Sequence, residues 1–156
     1  MALATGSTHK WIRPPVPDKK KRVLFLCTHN SARSQMAEGW LRHLAGDQFE
    51  VESAGTEATV VRPLAVRAMQ EAGIDISSHK SKTSQGFISE RWDFVITVCD
   101  QANQACPVFP GAAQRLHWSL RDPSQATGPQ EDQLNVYRQV RDEIRHKIAQ
   151  FVADRA

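Results

Sequence analysis

The stretch KRVLFLCTHNSARSQMAEGWLRHLAG, residues 21–46, decides the fold. Val23 to Cys27 is a continuous apolar run of strand length, the pattern of a strand buried on both faces of a parallel sheet. From Ser31 to Ala45 the apolar residues Met36, Ala37, Trp40, Leu41 and Leu44 recur at helical spacing, and Gly46 closes the segment. The strand therefore ends on a cysteine. A short polar loop follows, and an arginine stands six positions on, where the helix opens.

Working outward, the same alternation repeats. Residues 48–55 (QFEVESAG) read as a second strand, and residues 63–73 (PLAVRAMQEAG) as a helix that opens on proline and closes before glycine. Residues 92–99 (WDFVITVC) form a third strand, again ending on a cysteine. Residues 114–118 (QRLHW) form a short fourth, and the segment from Gln130 to Val152 forms a long C-terminal helix. Strands alternating with helices predict an α/β fold: one domain with an open parallel four-stranded sheet flanked by helices. Residues 1–20, with Pro14, Pro15, Pro17 and Lys19 to Lys21, read as a flexible N-terminal extension preceding a domain over 21–156. Open parallel sheets place their sites beyond the C-terminal ends of the strands. Cys27 and Cys99 both fall there.

Composition narrows the classes. With 156 residues, 40% hydrophobic and 24% charged, the chain matches a single globular domain. A net charge of +3 is too small and too dispersed to argue for nucleic acid, and no apolar run reaches the length of a membrane span. The N-terminus lacks the apolar core of a secretory signal, so the expected compartment is the cytoplasm. Three cysteines are no disulfide framework. Cys99 and Cys106 lack metal-ligand spacing, so no metal site is expected.

Cys27 to Arg33 is C-x5-R. Set between a strand and a helix N-terminus, the loop Cys27, Thr28, His29, Asn30, Ser31, Ala32 and Arg33 would turn backbone N–H groups inward around a tetrahedral oxyanion, and Arg33 would clamp two of its oxygens. A bare C-x5-R is far more often a buried core thiol followed by a surface arginine; the strand–loop–helix context reverses that preference in favour of chemistry. The same positive field predicts a depressed pKa for Cys27, making it a nucleophile at neutral pH, with Ser34 donating to the thiolate. Asn30 supplies the left-handed backbone such loops need. Asp122, in an Asp-Pro turn after the fourth strand, is the candidate general acid. Cys99 and Cys106 discriminate further. A Cys99 thiolate suits attack on a sulfur adduct of Cys27, and Cys106 suits attack on the disulfide that results.

With these residues in place, VLFLCTHNSARSQMAEGW, VESAGT, AVRAMQEAGIDIS, VITVCDQANQACPVFPG, HW and DP together resemble the thioredoxin-coupled arsenate reductases, built on the low-molecular-weight protein tyrosine phosphatase fold. The resemblance runs from about Lys21 into the C-terminal helix. It implies that Cys27 attacks arsenate, that water leaves with help from Asp122, and that Cys99 releases arsenite by forming a Cys27–Cys99 disulfide. Cys106 would then take over Cys99, and thioredoxin would reduce the Cys99–Cys106 pair, with no tightly bound cofactor. Two loop positions depart from the family pattern: Ala32 where a cysteine is frequent, and His29 where glycine is usual. Asn30, Glu38 and Ser53 match a potassium site found in some members, but Lys82 stands where an acidic ligand is expected, so no potassium requirement is predicted. The runner-up is a phosphatase using Cys27, Arg33 and Asp122. Ser124 follows Asp-Pro where such phosphatases place an aromatic, which leaves a phosphatase activity as a weak side reaction. A thiol sensor without catalysis would have no use for Arg33, Ser34 and Asp122 together.

Overall fold

The computed structural model describes residues 19–99 and 109–155. Its elements in chain order are β1 (Lys21–Cys27), α1 (Arg33–Ala45), β2 (Phe49–Gly55), α2 (Pro63–Glu71), β3 (Trp92–Thr97), β4 (Ala112–His117) and α3 (Gln130–Arg155), with short 3-10 turns at Ser84–Gly86 and Pro123–Gln125. The four strands form one parallel sheet in the order β2-β1-β3-β4, as expected for this α/β class.

The period-two geometry of a strand sorts β1 between two cores. Val23, Phe25 and Cys27 face the three helices, packing with Met36, Trp40 and Leu41 of α1 and Leu134, Tyr137, Val140, Ile144 and Ile148 of α3. Leu24 and Leu26 face the opposite way, into a smaller cluster with Trp92, Val95, Ala54 and Phe109, covered by Phe87 and Ile88. Both faces of β1 are thus dry, which is why its sequence shows no alternation. On the helical side Phe25, Phe49, Phe94 and Trp118 gather around Phe151 of α3, with Phe94 and Phe151 edge to face at 5.1 Å.

Several boundaries differ from the sequence expectation, each for a local reason. The first helix begins at Arg33 rather than Ser31, because Asn30 adopts a left-handed backbone (φ 50°) and Ala32 (φ −139°, ψ −74°) lies outside helical geometry. The second strand starts at Phe49, and the third ends at Thr97, leaving Cys99 in a bend beyond the ladder. The helix expected over 63–73 stops at Glu71 and turns out through Gly73 (φ 84°). The fourth strand covers 112–117, and the last helix runs on to Arg155. Leu44, expected on the buried stripe, is 40% exposed at the end of α1. Residues 1–18 of the expected extension, and Cys106, lie outside the described residues.

The strand order fixes where chemistry can sit. From β1 the chain moves outward to β2, then crosses back over β1 to reach β3. The crevice of such a sheet opens where two neighbouring strands send their chains in opposite directions, here between the C-terminal ends of β1 and β3. Those ends carry Cys27 and, two residues past Thr97, Cys99. Among the described residues no helix is long and apolar enough to cross a membrane.

Candidate active site

The loop from Cys27 to Arg33 is shaped by hydrogen bonds that grip its carbonyls from outside. Cys27 O accepts from Thr56 N (3.3 Å), and Thr28 O from Glu57 N (2.9 Å) and Thr56 Oγ1 (3.1 Å). His29 O accepts from Ser81 Oγ (2.9 Å) and Thr59 Oγ1 (3.1 Å), and Ser31 O from Arg62 N (2.8 Å). Gln35 Nε2 donates to Asn30 O (3.2 Å), and Met36 N to Ala32 O (2.8 Å). Because the peptide is planar and trans, a carbonyl tied outward turns the N–H that follows it away from that partner. The start of α1 adds its unpaired N–H groups and its positive end to the same space. The arrangement has the shape and polarity to receive a tetrahedral anion.

Asn30 is the hub. Its left-handed backbone bends the loop, and its fully buried side chain satisfies every donor and acceptor it has. Nδ2 donates to Ser34 Oγ (2.8 Å) and Ser53 Oγ (3.0 Å), while Oδ1 accepts from Gln35 Nε2 (2.9 Å) and Lys82 N (2.8 Å). Ser34 Oγ, expected to face the nucleophile, is thus also engaged by Asn30. Behind the hub, Ser53 donates to the buried carboxylate of Glu38, which Arg42 pairs at 2.8 Å. Lys82 Nζ lies 3.8 Å from Glu38 and 3.2 Å from Glu52. The site-matching residues Asn30, Glu38, Ser53 and Lys82 therefore form one connected cluster. Among the described residues no group of three or more His, Cys, Asp or Glu is placed to hold a metal ion.

Gly55 closes the loop from beneath. A Cβ there would stand 2.7 Å from Asn30 N, Thr28 O and Glu57 O, all backbone atoms. Only glycine lets β2 approach the loop this closely. Sequence reading passed over Gly55, although a glycine ending a strand is a recognised sign of close backbone approach. Gln35 also escaped it. A polar side chain on the buried face of a first helical turn was the available signal.

Arg33 is 8% exposed. Its Nη1 donates to Leu120 O (3.1 Å) and its Nη2 lies 3.5 Å from Asp122 Oδ2, while the buried Nε has no hydrogen-bond partner. A buried donor without a partner in a positively polarised cradle is a place for an anion's oxygen. Partial burial disfavours ionised Asp122. Even so, hydrogen bonds from Ser124 Oγ (2.7 Å) and N (3.0 Å), together with the Arg33 charge, hold the carboxyl below its ordinary range. Asp122 therefore starts ionised, and acts as an acid only after taking up a proton.

The structure reverses one electrostatic expectation. Cys27 and Cys99 are both buried thiols, and Cys99 Sγ lies 3.2 Å from Oγ1 of Thr28, the residue next to Cys27. The hydrogen bond to Cys99 and burial push the Cys27 thiol up, against the downward pull of Arg33. Two neighbouring buried thiols resist both becoming anions. The depressed pKa predicted from the loop alone does not hold while Cys99 is this close. Cys27, Arg33, Asp122 and Cys99 are brought together as the sequence expectation required, and Cys106 lies outside the described residues.

A strand–loop–helix cradle with a thiol at its base, a buried arginine at its wall and a carboxylate beside it is equipped for thiol chemistry on a tetrahedral oxyanion. Residues 22–155 match the family described as low molecular weight phosphotyrosine protein phosphatase, and the chain belongs to that family. Over 132 residues it is 48% identical to an arsenate reductase of Halalkalibacterium halodurans, covering 85% of this chain and 95% of that one. An arsenate reductase of Bacillus subtilis is 44% identical, with 85% and 96% covered. Among solved structures, an arsenate reductase in the phosphate binding state superposes with a TM-score of 0.75 at 34% identity, over 86% of this chain and 98% of that one. A thioredoxin-dependent arsenate reductase of Corynebacterium glutamicum superposes with a TM-score of 0.69 at 30% identity, over 89% and 63%. A tyrosine phosphatase of Erwinia amylovora, at 15% identity and a TM-score of 0.72, shares the fold.

Proposed function

We propose that the protein reduces arsenate to arsenite through a three-thiol relay, Cys27 to Cys99 to Cys106, with thioredoxin as the final reductant in the cytoplasm. The observation that carries the reading is that a second buried thiol, Cys99, is brought to the Cys27 end of the Arg33 loop, 3.2 Å from Thr28 Oγ1. A phosphatase needs one thiol at that position. A second thiol beside the first is what a redox step requires.

The chemistry balances on these groups. Arsenate binds to the loop N–H groups and Arg33. Cys27 sulfur bonds to arsenic, and an arsenate hydroxyl leaves with the thiol proton as water. The arriving anion raises the proton affinity of the neighbouring Asp122 carboxylate, which lets Asp122 carry that proton between sulfur and the leaving oxygen. Cys99 sulfur then attacks Cys27 sulfur. The sulfur–sulfur bond forms, the sulfur–arsenic bond breaks, and its electron pair stays on arsenic, taking it from the +5 to the +3 state while the Cys99 proton passes to an arsenite oxygen. Cys106 exchanges into the disulfide at Cys99 and frees Cys27. A thioredoxin dithiol reduces the Cys99–Cys106 disulfide.

The Lys82 ammonium, set against Glu38 and Glu52, supplies the positive charge that a potassium ion would bring to this cluster, so turnover is independent of potassium. The reading is tested by arsenate-dependent NADPH consumption with thioredoxin and thioredoxin reductase. Cys99→Ser abolishes it and Cys106→Ser limits it to one turnover. Full turnover by Cys99→Ser would end the relay.

A further inference from the structure

Resting on the reading that the loop holds an oxyanion, we infer that Thr59 and Ser81 form a latch on the His29 carbonyl that sets the affinity of the cradle. The other loop carbonyls are held by backbone N–H groups or by residues of α1, with the Thr56 hydroxyl a second donor at Thr28. His29 O alone depends entirely on side chains from outside the loop and its helix: Ser81 Oγ donates to it at 2.9 Å and Thr59 Oγ1 at 3.1 Å. The two hydroxyl residues are themselves locked together, because Thr59 N donates to Ser81 Oγ at 2.7 Å. Three segments distant in sequence therefore meet at one oxygen.

The position matters because His29 precedes Asn30, where the loop makes its left-handed bend. A peptide flanking such a bend has two accessible orientations, and one of them aims the carbonyl at the anion. Its lone pairs would then oppose the bound charge. Two donors on the outer side favour the orientation that keeps the carbonyl out. Binding to a cradle already in that state avoids the ordering cost that a free peptide would add. Thr59 and Ser81 touch neither the thiols nor Arg33, so they act as positioning residues.

The test compares wild type with Thr59→Val, Ser81→Ala, the double variant, and Thr59→Ser, which keeps the hydroxyl. Calorimetric titration with inorganic phosphate reads the cradle without turnover, and steady-state arsenate kinetics reads it with turnover. The double variant is expected to weaken phosphate binding and raise the arsenate KM by about tenfold, the scale of two modest hydrogen bonds, with kcat lowered by less than about threefold. Ser81→Ala alone gives about threefold, since Thr59 Oγ1 remains, and Thr59→Ser matches wild type. Unchanged phosphate affinity in the double variant overturns the latch, even if the melting temperature falls. So does equal weakening by Thr59→Ser and Thr59→Val. Should the double variant fail to fold, the contrast between Thr59→Ser and Thr59→Val decides the same point. A wild type that binds phosphate but reduces no arsenate refutes the proposed function and leaves the latch to the phosphate titration.

Discussion

Replacing Gly55 by alanine puts the coupling between the sheet and the anion loop to its strictest test. The added methyl would stand 2.7 Å from Asn30 N, Thr28 O and Glu57 O. Ordinary contact begins near 3.4 Å, so 3.4 − 2.7 gives about 0.7 Å that must be found somewhere. None of it comes from a rotating side chain, because all three neighbours are backbone. β2 gives little ground on its other side: Gly55 N donates to Lys82 O at 2.8 Å, and Gly55 bridges to Thr83. The loop has to move. Overpacking of this kind costs about 1–3 kcal/mol, and each kcal/mol lowers the melting temperature of a domain this size by about 2–4 °C. A displacement of reacting groups approaching 1 Å is worth about a hundredfold in rate. The expected result is a folded variant, a few degrees less stable, whose kcat/KM for arsenate in the coupled NADPH assay falls by about a hundredfold. Alanine with unaltered kcat/KM would mean that the strand does not set the loop, and the reasoning would fail there.

Other expectations follow from the same geometry. Cys99→Ala removes the sulfur that pushes the Cys27 thiol up, so the ultraviolet absorbance of the Cys27 thiolate should develop at lower pH than in wild type; an upward move contradicts the assigned cause. Ser124→Ala removes a 2.7 Å hydrogen bond to the ionised form of Asp122, so the carboxyl titrates higher and the acid limb of the pH–rate profile shifts up. The sign for stability follows. A depressed carboxyl stabilises the fold above the ordinary aspartate range and loses that contribution as pH falls through its folded value, so Ser124→Ala should unfold more readily than wild type near neutral pH and converge with it in acid. Lys82→Ala leaves buried Glu38 with one fewer cation, and its activity should rise with added potassium where the wild type's does not; indifference to potassium in both would remove the ammonium's proposed role.

What the sequence made legible, and what it hid, divides along one physical line. Signals local to a segment were readable. The dry strand declared itself by an apolar run, α1 by its stripe, the cradle by cysteine and arginine across a strand–helix junction, and the left-handed residue by an asparagine in the loop. Facts that depend on which strands lie side by side were not. The lateral order β2-β1-β3-β4 makes Cys27 and Cys99 neighbours, and that adjacency reverses the pKa expected from the loop in isolation. Ser124 shows the same limit. In sequence it marks where an aromatic is missing, whereas in the structure it grips the carboxylate it follows. Thr59 and Ser81 are ordinary polar residues in ordinary loops, with no spacing to distinguish them, and they acquire meaning only at a shared oxygen.

Within the proposed relay, the raised Cys27 thiol governs how the first step starts. A cradle that stabilised a free thiolate would repel the anion it must bind, since both carry negative charge in one small buried space. Keeping the proton between Cys27 and Cys99 until arsenate arrives avoids that conflict. In the proposed first step the proton leaves with the expelled water, so the nucleophile would be formed as it is consumed. The same proximity would leave Cys99 beside the Cys27–arsenic bond that the proposed second step breaks, without a search. The nearness of the two buried thiols would thus order the two proposed steps, and Cys99→Ala tests both halves of that ordering at once. The thiolate should appear at lower pH, phosphate should bind less tightly wherever that thiolate is present, and arsenate should be held on Cys27 without release of arsenite. Tighter phosphate binding on the thiolate side of that titration would show that the two negative charges do not compete, and the ordering would have no physical basis.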